Sequence, residues 1–219
     1  MQNVFTFTKD EPFIGKLSGL VTVPTGFDPA KEKLPVILFL HGMGERGDGS
    51  EKELPLVTVH GVPKLFAKDP DYLGLRVITV SPQCPVTVTW ELITLIVKDY
   101  LDAAVERFGG DPARVAVTGL SMGGFGTWSL LSAFPQAFRK AAPICGGGKL
   151  LADQLSGVGV RVFHSIDDPC VPYEFELQPV RQAHDAGADV EFTTYCGLGH
   201  NCWMTAYEKT DLIRWLADM

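Results

Sequence analysis

The segment LPVILFLHG, residues 34–42, most constrains the fold that this sequence can adopt. It begins with a continuous apolar run of strand length, which is typical of a β-strand buried on both faces. A strand of this kind needs covering elements above and below it, so it indicates a mainly parallel sheet between layers of helices. Further segments share this β-rich apolar character, and they lie at 76–82, 113–121, 140–147, 160–168 and 190–196.

Helix-like segments lie between these strands, as crossover connections in a parallel sheet require. The clearest, 90–109, has apolar residues at a period of 3.6 and ends at Gly109 and Gly110. Up to about Phe27 the sequence instead predicts short strands broken by turn residues. Four more helices are predicted, at 62–68, 122–134, 173–186 and 204–217.

The length and spacing of these elements predict the domain organisation. A chain of 219 residues is long enough for one domain with a substantial core. Every interval between elements is short, which leaves little room for an inserted lid. We therefore expect one α/β domain, 1–219, with no separate lid domain. The polar loop 43–61 could border a site, although its charges are better explained as a solvated surface.

The charge of the chain excludes several classes of partner. The formal net charge is −7, and no cluster of Lys and Arg is visible, so neither nucleic acid nor an anionic membrane is an expected partner. No apolar run is long enough to span a membrane. The first residues lack the basic start and apolar core of a signal peptide, which predicts a cytoplasmic protein unless a leader has been trimmed. Association of the chain with a second copy stays open.

The cysteines predict neither a disulfide framework nor a zinc site. They are few, scattered and odd in number, and none forms a C-x-x-C pair. Cys196 and Cys202 flank a histidine and could pair, but free buried thiols are the preferred interpretation. The five cysteines are Cys84, Cys145, Cys170, Cys196 and Cys202.

The stretch GLSMGGFGTW, 119–128, joins a predicted buried strand to a predicted helix. Gly119 and Gly123 flank Ser121 in the G-x-S-x-G pattern of a nucleophile elbow, a tight turn that projects the serine hydroxyl above the sheet. Gly124 adds room for close packing of helix on strand. A glycine turn with an incidental hydroxyl is the alternative, and the position between strand and helix favours a nucleophile.

A serine nucleophile requires a base, which in this fold follows it in the chain. The histidines after Ser121 are His164, His184 and His200. His184 lies in a polar helix and is interpreted as a solvated surface residue, and His164 lies inside a β-rich run and is interpreted as a core histidine. His200 follows the last strand on a glycine-rich loop that can reach back over the sheet. It is the predicted base.

The base requires a carboxylate that orients it, and Asp167 and Asp168 follow the preceding strand. The spacing to the following Pro-Cys-Val-Pro favours Asp168, and Asp167 would then cap the loop or face solvent. The oxyanion requires two preorganised N–H donors. These are predicted to be the backbone N–H groups of Met122, directly after the nucleophile, and Met43, in the loop after the first buried strand.

Two tryptophans are candidates for the walls of a substrate pocket. Trp90 follows a strand end, and Trp203 lies three residues beyond His200. For each of them, packing in the core is an equally good interpretation. Trp128, inside the helix after Ser121, is interpreted as a core residue.

Taken together, these motifs resemble the α/β-hydrolases, and specifically their compact carboxylesterase branch. That branch includes predicted peptidases of esterase type, polyhydroxybutyrate-depolymerase-like and feruloyl-esterase-like proteins, and more distantly dienelactone hydrolases and acyl-protein thioesterases. One departure is Ser165, where related proteins often have glycine after the histidine. The matching segments are LFLHGMGERGD (38–48), SPQCP (81–85), GLSMGGFGTW (119–128), FPQAFRKAAPICGGG (134–148), HSIDDPCVP (164–172) and GLGHNCW (197–203).

The resemblance implies a Ser121–Asp168–His200 triad with Met43 and Met122 as oxyanion donors. It also implies hydrolysis of a small-molecule ester through an acyl-enzyme, with no metal and no organic cofactor. The short loops suggest an open site for small or short-acyl esters. The alternatives are an acyltransferase, thioesterase or amide hydrolase that uses the same triad, or a non-catalytic binding protein on a hydrolase scaffold.

Overall fold

The structure is a computed structural model that describes residues 3–219. Its strands, in chain order, are β1 (Val4–Glu11), β2 (Gly15–Thr22), β3 (Leu34–Leu40), β4 (Ile78–Pro82), β5 (Gly110–Leu120), β6 (Lys140–Ile144), β7 (Gly159–Ser165) and β8 (Asp189–Tyr195). Its α-helices are α1 (Gly61–Lys68), α2 (Thr94–Phe108), α3 (Met122–Ala133), α4 (Glu174–Asp185), α5 (Trp203–Lys209) and α6 (Leu212–Ala217). Short 3-10 turns lie at Met43–Glu45, Leu54–Thr58, Tyr72–Gly74, Trp90–Ile93 and Gly199–Cys202.

The eight strands form one sheet, in the order β1-β2-β4-β3-β5-β6-β7-β8. The hairpin β1–β2 pairs antiparallel, and β2 also runs antiparallel to β4. All further pairs, from β4 to β8, are parallel. This confirms the predicted mostly parallel sheet, and within residues 3–219 no separate lid domain interrupts it.

Helices cover both faces of the sheet, because the central strands are apolar on both sides. Along β3, Val36 and Leu38 pack on the face covered by α2, α3 and α4. Ile37 and Phe39 point the other way and pack on the face covered by α1, α5 and α6. Every residue of β3 is buried, as the apolar run predicted.

Two predicted helices differ from those in the structure. The segment 90–109 begins with the 3-10 turn at Trp90–Ile93 before it continues as α2, and Gly109 ends it in the left-handed conformation, at φ +77°. The predicted helix 204–217 is two helices, because Thr210 is extended. The Thr210 hydroxyl accepts the N–H of Leu212 at 3.1 Å, which starts α6 in a new direction. None of the helices in the described part of the chain has both the length and the apolarity needed to cross a membrane.

The glycines around Ser121 let α3 begin in direct contact with the sheet backbone. A Cβ on Gly123 would overlap the carbonyl oxygen of Leu40, at the end of β3. A Cβ on Gly124 would lie 2.7 Å from the carbonyl oxygen of Ile144, at the end of β6. The first turn of α3 is thus wedged between two strand ends, where only glycine fits.

Replacing Gly123 by alanine tests this wedge. Because the new methyl group would overlap a backbone oxygen that cannot move without β3, we expect Gly123→Ala to lower the free energy of unfolding by about 3 kcal/mol or more. Gly44→Ala is the matched control, since its Cβ would meet nothing within 4 Å and its backbone needs no positive φ. Urea unfolding measures both. Equal stability of the two variants would contradict the wedge.

Candidate active site

Ser121 lies between the end of β5 and the first residue of α3, at the carboxyl edge of the parallel strands. Its backbone has φ +53° and ψ −119°, a conformation that non-glycine residues rarely adopt. The backbone N–H of Ser121 donates to the carbonyl of Ile144 at 2.9 Å, which anchors the strained turn to β6. Backbone strain of this kind is found where a fold fixes one side chain in a required direction.

The structure brings the three residues Ser121, His200 and Asp168 into one hydrogen-bonded chain. Nε2 of His200 lies 2.9 Å from Oγ of Ser121. Nδ1 of His200 lies 2.7 Å from Oδ2 of Asp168. His200 comes from the 3-10 turn that follows β8, and Asp168 from the loop that follows β7, so the ends of β5, β7 and β8 each contribute one member.

Asp168 is held as a carboxylate by its surroundings. Its side chain is fully buried, and its Oδ1 accepts the backbone N–H groups of Cys170 at 2.8 Å and Val171 at 3.0 Å. Burial alone would raise the pKa of Asp168, but the hydrogen bonds from His200, Val171 and Cys170 outweigh it and hold the pKa below its usual value. The charge therefore stays on Asp168 at neutral pH.

Asp167 points away from the hydrogen-bonded chain and joins two loops. Its Oδ1 accepts the hydroxyl of Ser165 and, at 2.9 Å, the backbone N–H of Gly197. The N–H of Ile166 also donates to the carbonyl of Tyr195, at 2.9 Å. Asp167 thus ties the loop after β7 to the loop after β8. Ser165, which stands where related proteins often have glycine, belongs to this connection.

The loop after β3, which carries Met43, is fixed by a buried histidine. Nε2 of His41 accepts the backbone N–H of Cys84 at 2.9 Å, so the proton must be on Nδ1, which donates to the carbonyl of Gly42 at 2.6 Å. Burial lowers the pKa of His41 to about 4, which keeps the ring neutral. Trp90 donates its indole N–H to the carbonyl of His41 at 2.9 Å. The loops after β3 and β4 are thereby locked together.

This contact favours core packing over a pocket wall as the interpretation of Trp90. Trp90 is only 1% exposed, and its indole N–H is used inside the core. It therefore supports the Met43 loop from beneath. Sequence analysis leaves both interpretations open, because an aromatic residue after a strand end is compatible with either position.

Trp203 lies beside the candidate base. Its ring stands edge-on to His200, with 5.2 Å between ring centroids, and it also packs on His60 at 5.5 Å. It is 7% exposed, and its indole N–H is buried without a hydrogen-bond partner. Trp203 therefore restricts the ring of His200, and its role as a wall for substrate stays a prediction.

The backbone N–H groups of Met43 and Met122 are free of helical partners. Each residue begins its helical segment, and the first N–H groups of a helix have no acceptor inside it. Met122 directly follows Ser121, and Met43 follows Gly42, where an added Cβ would lie 3.7 Å from Cβ of Ser121. The two loops thus flank the serine, and their role as oxyanion donors stays a prediction.

Cys145 lies behind the same chain and raises the question of a metal. A sulfur, carboxylate and imidazole atom of Cys145, Asp168 and His200 lie within 4.8 Å of one another. Burial raises the pKa of Cys145 well above its ordinary value, so the thiol stays protonated and is a poor ligand. Both nitrogens of His200 are already in hydrogen bonds. The donor set fits a hydrogen-bonded chain better than a metal site.

The cysteines in the structure are all free. Cys84, Cys145 and Cys202 are buried, as predicted for free thiols, whereas Cys170 and Cys196 are exposed. Cys196 and Cys202 therefore differ in environment, and the expectation that both are buried is wrong for Cys196. The loop that carries Cys196 is also the loop that Asp167 holds.

The sheet order, the crossover helices on both faces and a strained serine between β5 and α3 define the class of fold: the chain has the α/β-hydrolase fold. It is similar to a thermostable esterase of known structure, with 30% sequence identity and a TM-score of 0.83 over 98% of this chain and 62% of the other. It also superposes on a ferulic acid esterase with a TM-score of 0.75 at 19% identity, over 98% of this chain and 97% of the other.

A shorter sequence match points the same way. The poly(3-hydroxyalkanoate) depolymerase C of Paucimonas lemoignei is 43% identical over 53 residues, which is 24% of this chain and 13% of the depolymerase. This chain thus spans less than two thirds of the thermostable esterase and a small part of the depolymerase. No protein-family model matches the sequence.

Stability measurements can test the neutral state of His41. The unfolded chain takes up a proton at this histidine near pH 6.5, whereas the folded chain does so only near pH 4. The stability contributed by neutral His41 is therefore complete above pH 6.5 and is lost as the pH falls to 4. We expect the difference in free energy of unfolding between wild type and His41→Gln to shrink by about 3 kcal/mol between pH 7 and pH 4.

Glutamine suits this comparison because its carbonyl can accept the Cys84 N–H without titrating. Urea unfolding of both proteins is measured between pH 7 and pH 4. The contributions of the other titrating groups to the free energy of unfolding are shared by the two proteins and cancel in the difference. A difference that stays constant with pH would show that His41 is not a buried neutral histidine.

Proposed function

We propose that the chain is a serine carboxylesterase in which Ser121 is the nucleophile, His200 the general base and Asp168 the residue that orients the base. The observation that carries the proposal is the hydrogen-bonded chain, with 2.9 Å from Ser121 to His200 and 2.7 Å from His200 to Asp168. A serine hydroxyl is a weak nucleophile unless a base lies within hydrogen-bond reach, and this arrangement meets that condition.

In the proposed reaction, Oγ of Ser121 attacks the ester carbonyl while Nε2 of His200 takes its proton. The backbone N–H groups of Met43 and Met122 stabilise the oxyanion of the tetrahedral intermediate. His200 then protonates the leaving alcohol, and an acyl group remains on Ser121. A water molecule, deprotonated by His200, releases the acid by the same steps in reverse. The carboxylate of Asp168 keeps the Nδ1–H tautomer of His200, so that Nε2 is free to accept the proton.

The comparisons support an ester as the substrate. The thermostable esterase shares 30% of the sequence over nearly all of this chain, and the matched segment of the depolymerase comes from an enzyme named for a polyester. The proposed partner is accordingly a small-molecule ester. The proposed chemistry uses only groups of the chain, without a metal or an organic cofactor.

The surface around the serine supports an open site for small or short-acyl esters. Met43, Ile166 and Leu198, on the loops after β3, β7 and β8, are large apolar residues with 56%, 54% and 38% of their surface exposed. These residues offer exposed apolar contact at the edge of the sheet that carries Ser121. A short acyl or alcohol group can pack on such a surface, whereas a long chain would remain largely in water.

Replacing the proposed nucleophile tests the activity. Initial rates on p-nitrophenyl acetate, butyrate, octanoate and a feruloyl ester should fall by about 10⁴-fold or more in Ser121→Ala, because among residues 3–219 the hydroxyl that is hydrogen-bonded to His200 is that of Ser121. Ser129→Ala, on the same helix, is the control and should retain the wild-type rate. The acetate and butyrate esters should be the better substrates. Hydrolysis that persists in Ser121→Ala would show that Ser121 is not the nucleophile and that the glycine-serine turn has only a structural role.

The role of the Met43 N–H can be tested because proline removes it. Gly42 is extended, as a residue before proline prefers, and proline is well tolerated at the first position of a helical turn. We expect Met43→Pro to lower kcat by about 10²–10³-fold, the usual cost of losing one oxyanion donor. Met43→Ala keeps the N–H and should retain kcat to within a few-fold. If both variants lose activity equally, the side chain and not the N–H is responsible.

A further inference from the structure

A second histidine lies directly behind Asp168. His164, in β7, is fully buried, and its Nε2 is 3.2 Å from Oδ2 of Asp168, the same oxygen that His200 contacts. The Nε2 of His164 also lies 3.0 Å from the carbonyl oxygen of Val171. Because both neighbours are acceptors, Nε2 must carry a proton. Asp168 is therefore held between two imidazoles.

The other nitrogen of His164 faces a second buried carboxylate. Its Nδ1 has no hydrogen-bond partner and lies 3.8 Å from Oε1 of Glu176, a fully buried residue of α4. Oε1 of Glu176 accepts the backbone N–H of Gly146 at 2.8 Å, and Oε2 accepts the indole N–H of Trp128 at 2.7 Å. Both oxygens thus accept hydrogen bonds, as ionised carboxylate oxygens do.

These contacts favour a doubly protonated ring for His164. A neutral ring with its proton on Nε2 would direct the lone pair of Nδ1 at the negative carboxylate of Glu176. A doubly protonated ring instead presents an N–H to each carboxylate. Burial alone would lower the pKa of His164, but Glu176, the Val171 carbonyl and Asp168 together raise it above its usual value.

Charge balance favours the same state. Two buried carboxylates at close range are costly without a cation between them. In the described part of the chain, the ion-pair partners of Asp168 and Glu176 are histidines, with no Lys or Arg among them. His164 lies between the two and can be that cation.

We propose that His164 is a positioning residue for the hydrolysis proposed above: a buried imidazolium, paired with Glu176, that fixes Asp168 from the side opposite His200. The inference rests on the proposed function, since Asp168 acts only through the base. His164 does not touch substrate. It sets both the orientation of the Asp168 carboxylate and the strength of the electrostatic interaction between Asp168 and His200.

The electrostatic consequence has a definite sign. With a cation on its far side, Asp168 stabilises the protonated form of His200 less than an isolated carboxylate would. His200 therefore releases its proton more readily to the leaving alcohol and remains in its base form to lower pH. Without the charge on His164, the acidic limb of the pH–rate profile should move to higher pH.

The groups around His164 allow this effect to be assigned. Asp168 faces it from the loop that follows β7, and Glu176 faces it from α4. Tyr173 places its ring 5.8 Å away in a T-shaped contact. Cys145 approaches Asp168 from the end of β6, and burial raises the pKa of Cys145 far enough to keep it neutral. Apart from the base His200, His164 is therefore the group near Asp168 to which the proposal assigns a positive charge.

The test compares His164→Gln with His184→Gln. Glutamine can still donate a hydrogen bond toward Val171 and Asp168 but carries no charge. His184, with 79% of its side chain exposed, receives the same substitution at a surface site. Steady-state kcat and KM on p-nitrophenyl acetate are measured from pH 5 to pH 9. Thermal unfolding and near-UV circular dichroism establish that each variant is folded.

For His164→Gln we expect kcat at pH 7 to fall by about tenfold, KM to change by less than about twofold, and the acidic limb to move up by about half a pH unit or more. His184→Gln should match wild type throughout. A folded His164→Gln protein with lower kcat and an unmoved acidic limb would reduce His164 to a structural residue and overturn the proposal. An unchanged kcat and limb would do the same.

A measurement on the unaltered protein covers the case in which His164→Gln fails to fold. Histidine ¹⁵N NMR at pH 7, with signals assigned by comparison with His184→Gln and Ser121→Ala, should show both nitrogens of His164 protonated. A neutral His164 ring would overturn the proposal. Failure of the proposed function would appear separately, as hydrolysis that persists in Ser121→Ala.

Discussion

The contact between the first turn of α3 and the ends of β3 and β6 is the constraint on which the site depends. At Gly123 and Gly124 the helix backbone lies so close to the carbonyls of Leu40 and Ile144 that no side chain fits between them. This contact fixes the direction of α3, and with it the strained φ of Ser121. Because the strain is located in one residue and opposed by backbone on two sides, the serine cannot relax into the sheet.

Buried polar groups extend this rigidity outward from the serine. On one side, neutral His41 joins the loops after β3 and β4 and orients the segment that carries Met43. On the other, Asp168, His164 and Glu176 form a fully buried row of side chains that links β7 to α4. The two histidines differ in charge because their neighbours differ: one ring nitrogen of His41 accepts a backbone N–H and cannot carry a proton, whereas both ring nitrogens of His164 face acceptor oxygens. Burial alone therefore does not decide the state of a histidine.

The sequence predicts what depends on local pattern. Strands buried on both faces have an unmistakable apolar composition, and the glycines and order of Ser121, Asp168 and His200 suffice to select three residues that meet in the structure. It does not predict what depends on packing between distant segments. The break at Thr210 comes from one hydroxyl that accepts the N–H of Leu212. The place of His164 depends on α4 bringing Glu176 to its other side, and no spacing in the sequence reveals that contact.

The bridge made by Asp167 divides the site into two parts. It ties the loop that carries Asp168 to the loop that carries His200, through Gly197, while Ser121 belongs to the separate unit formed by β5 and α3. A shift of the β7–β8 edge would therefore carry the acid and the base together and would lengthen the serine–histidine contact first. Of the two hydrogen bonds that join Ser121, His200 and Asp168, the one between Oγ of Ser121 and Nε2 of His200 is the one that connects the two units.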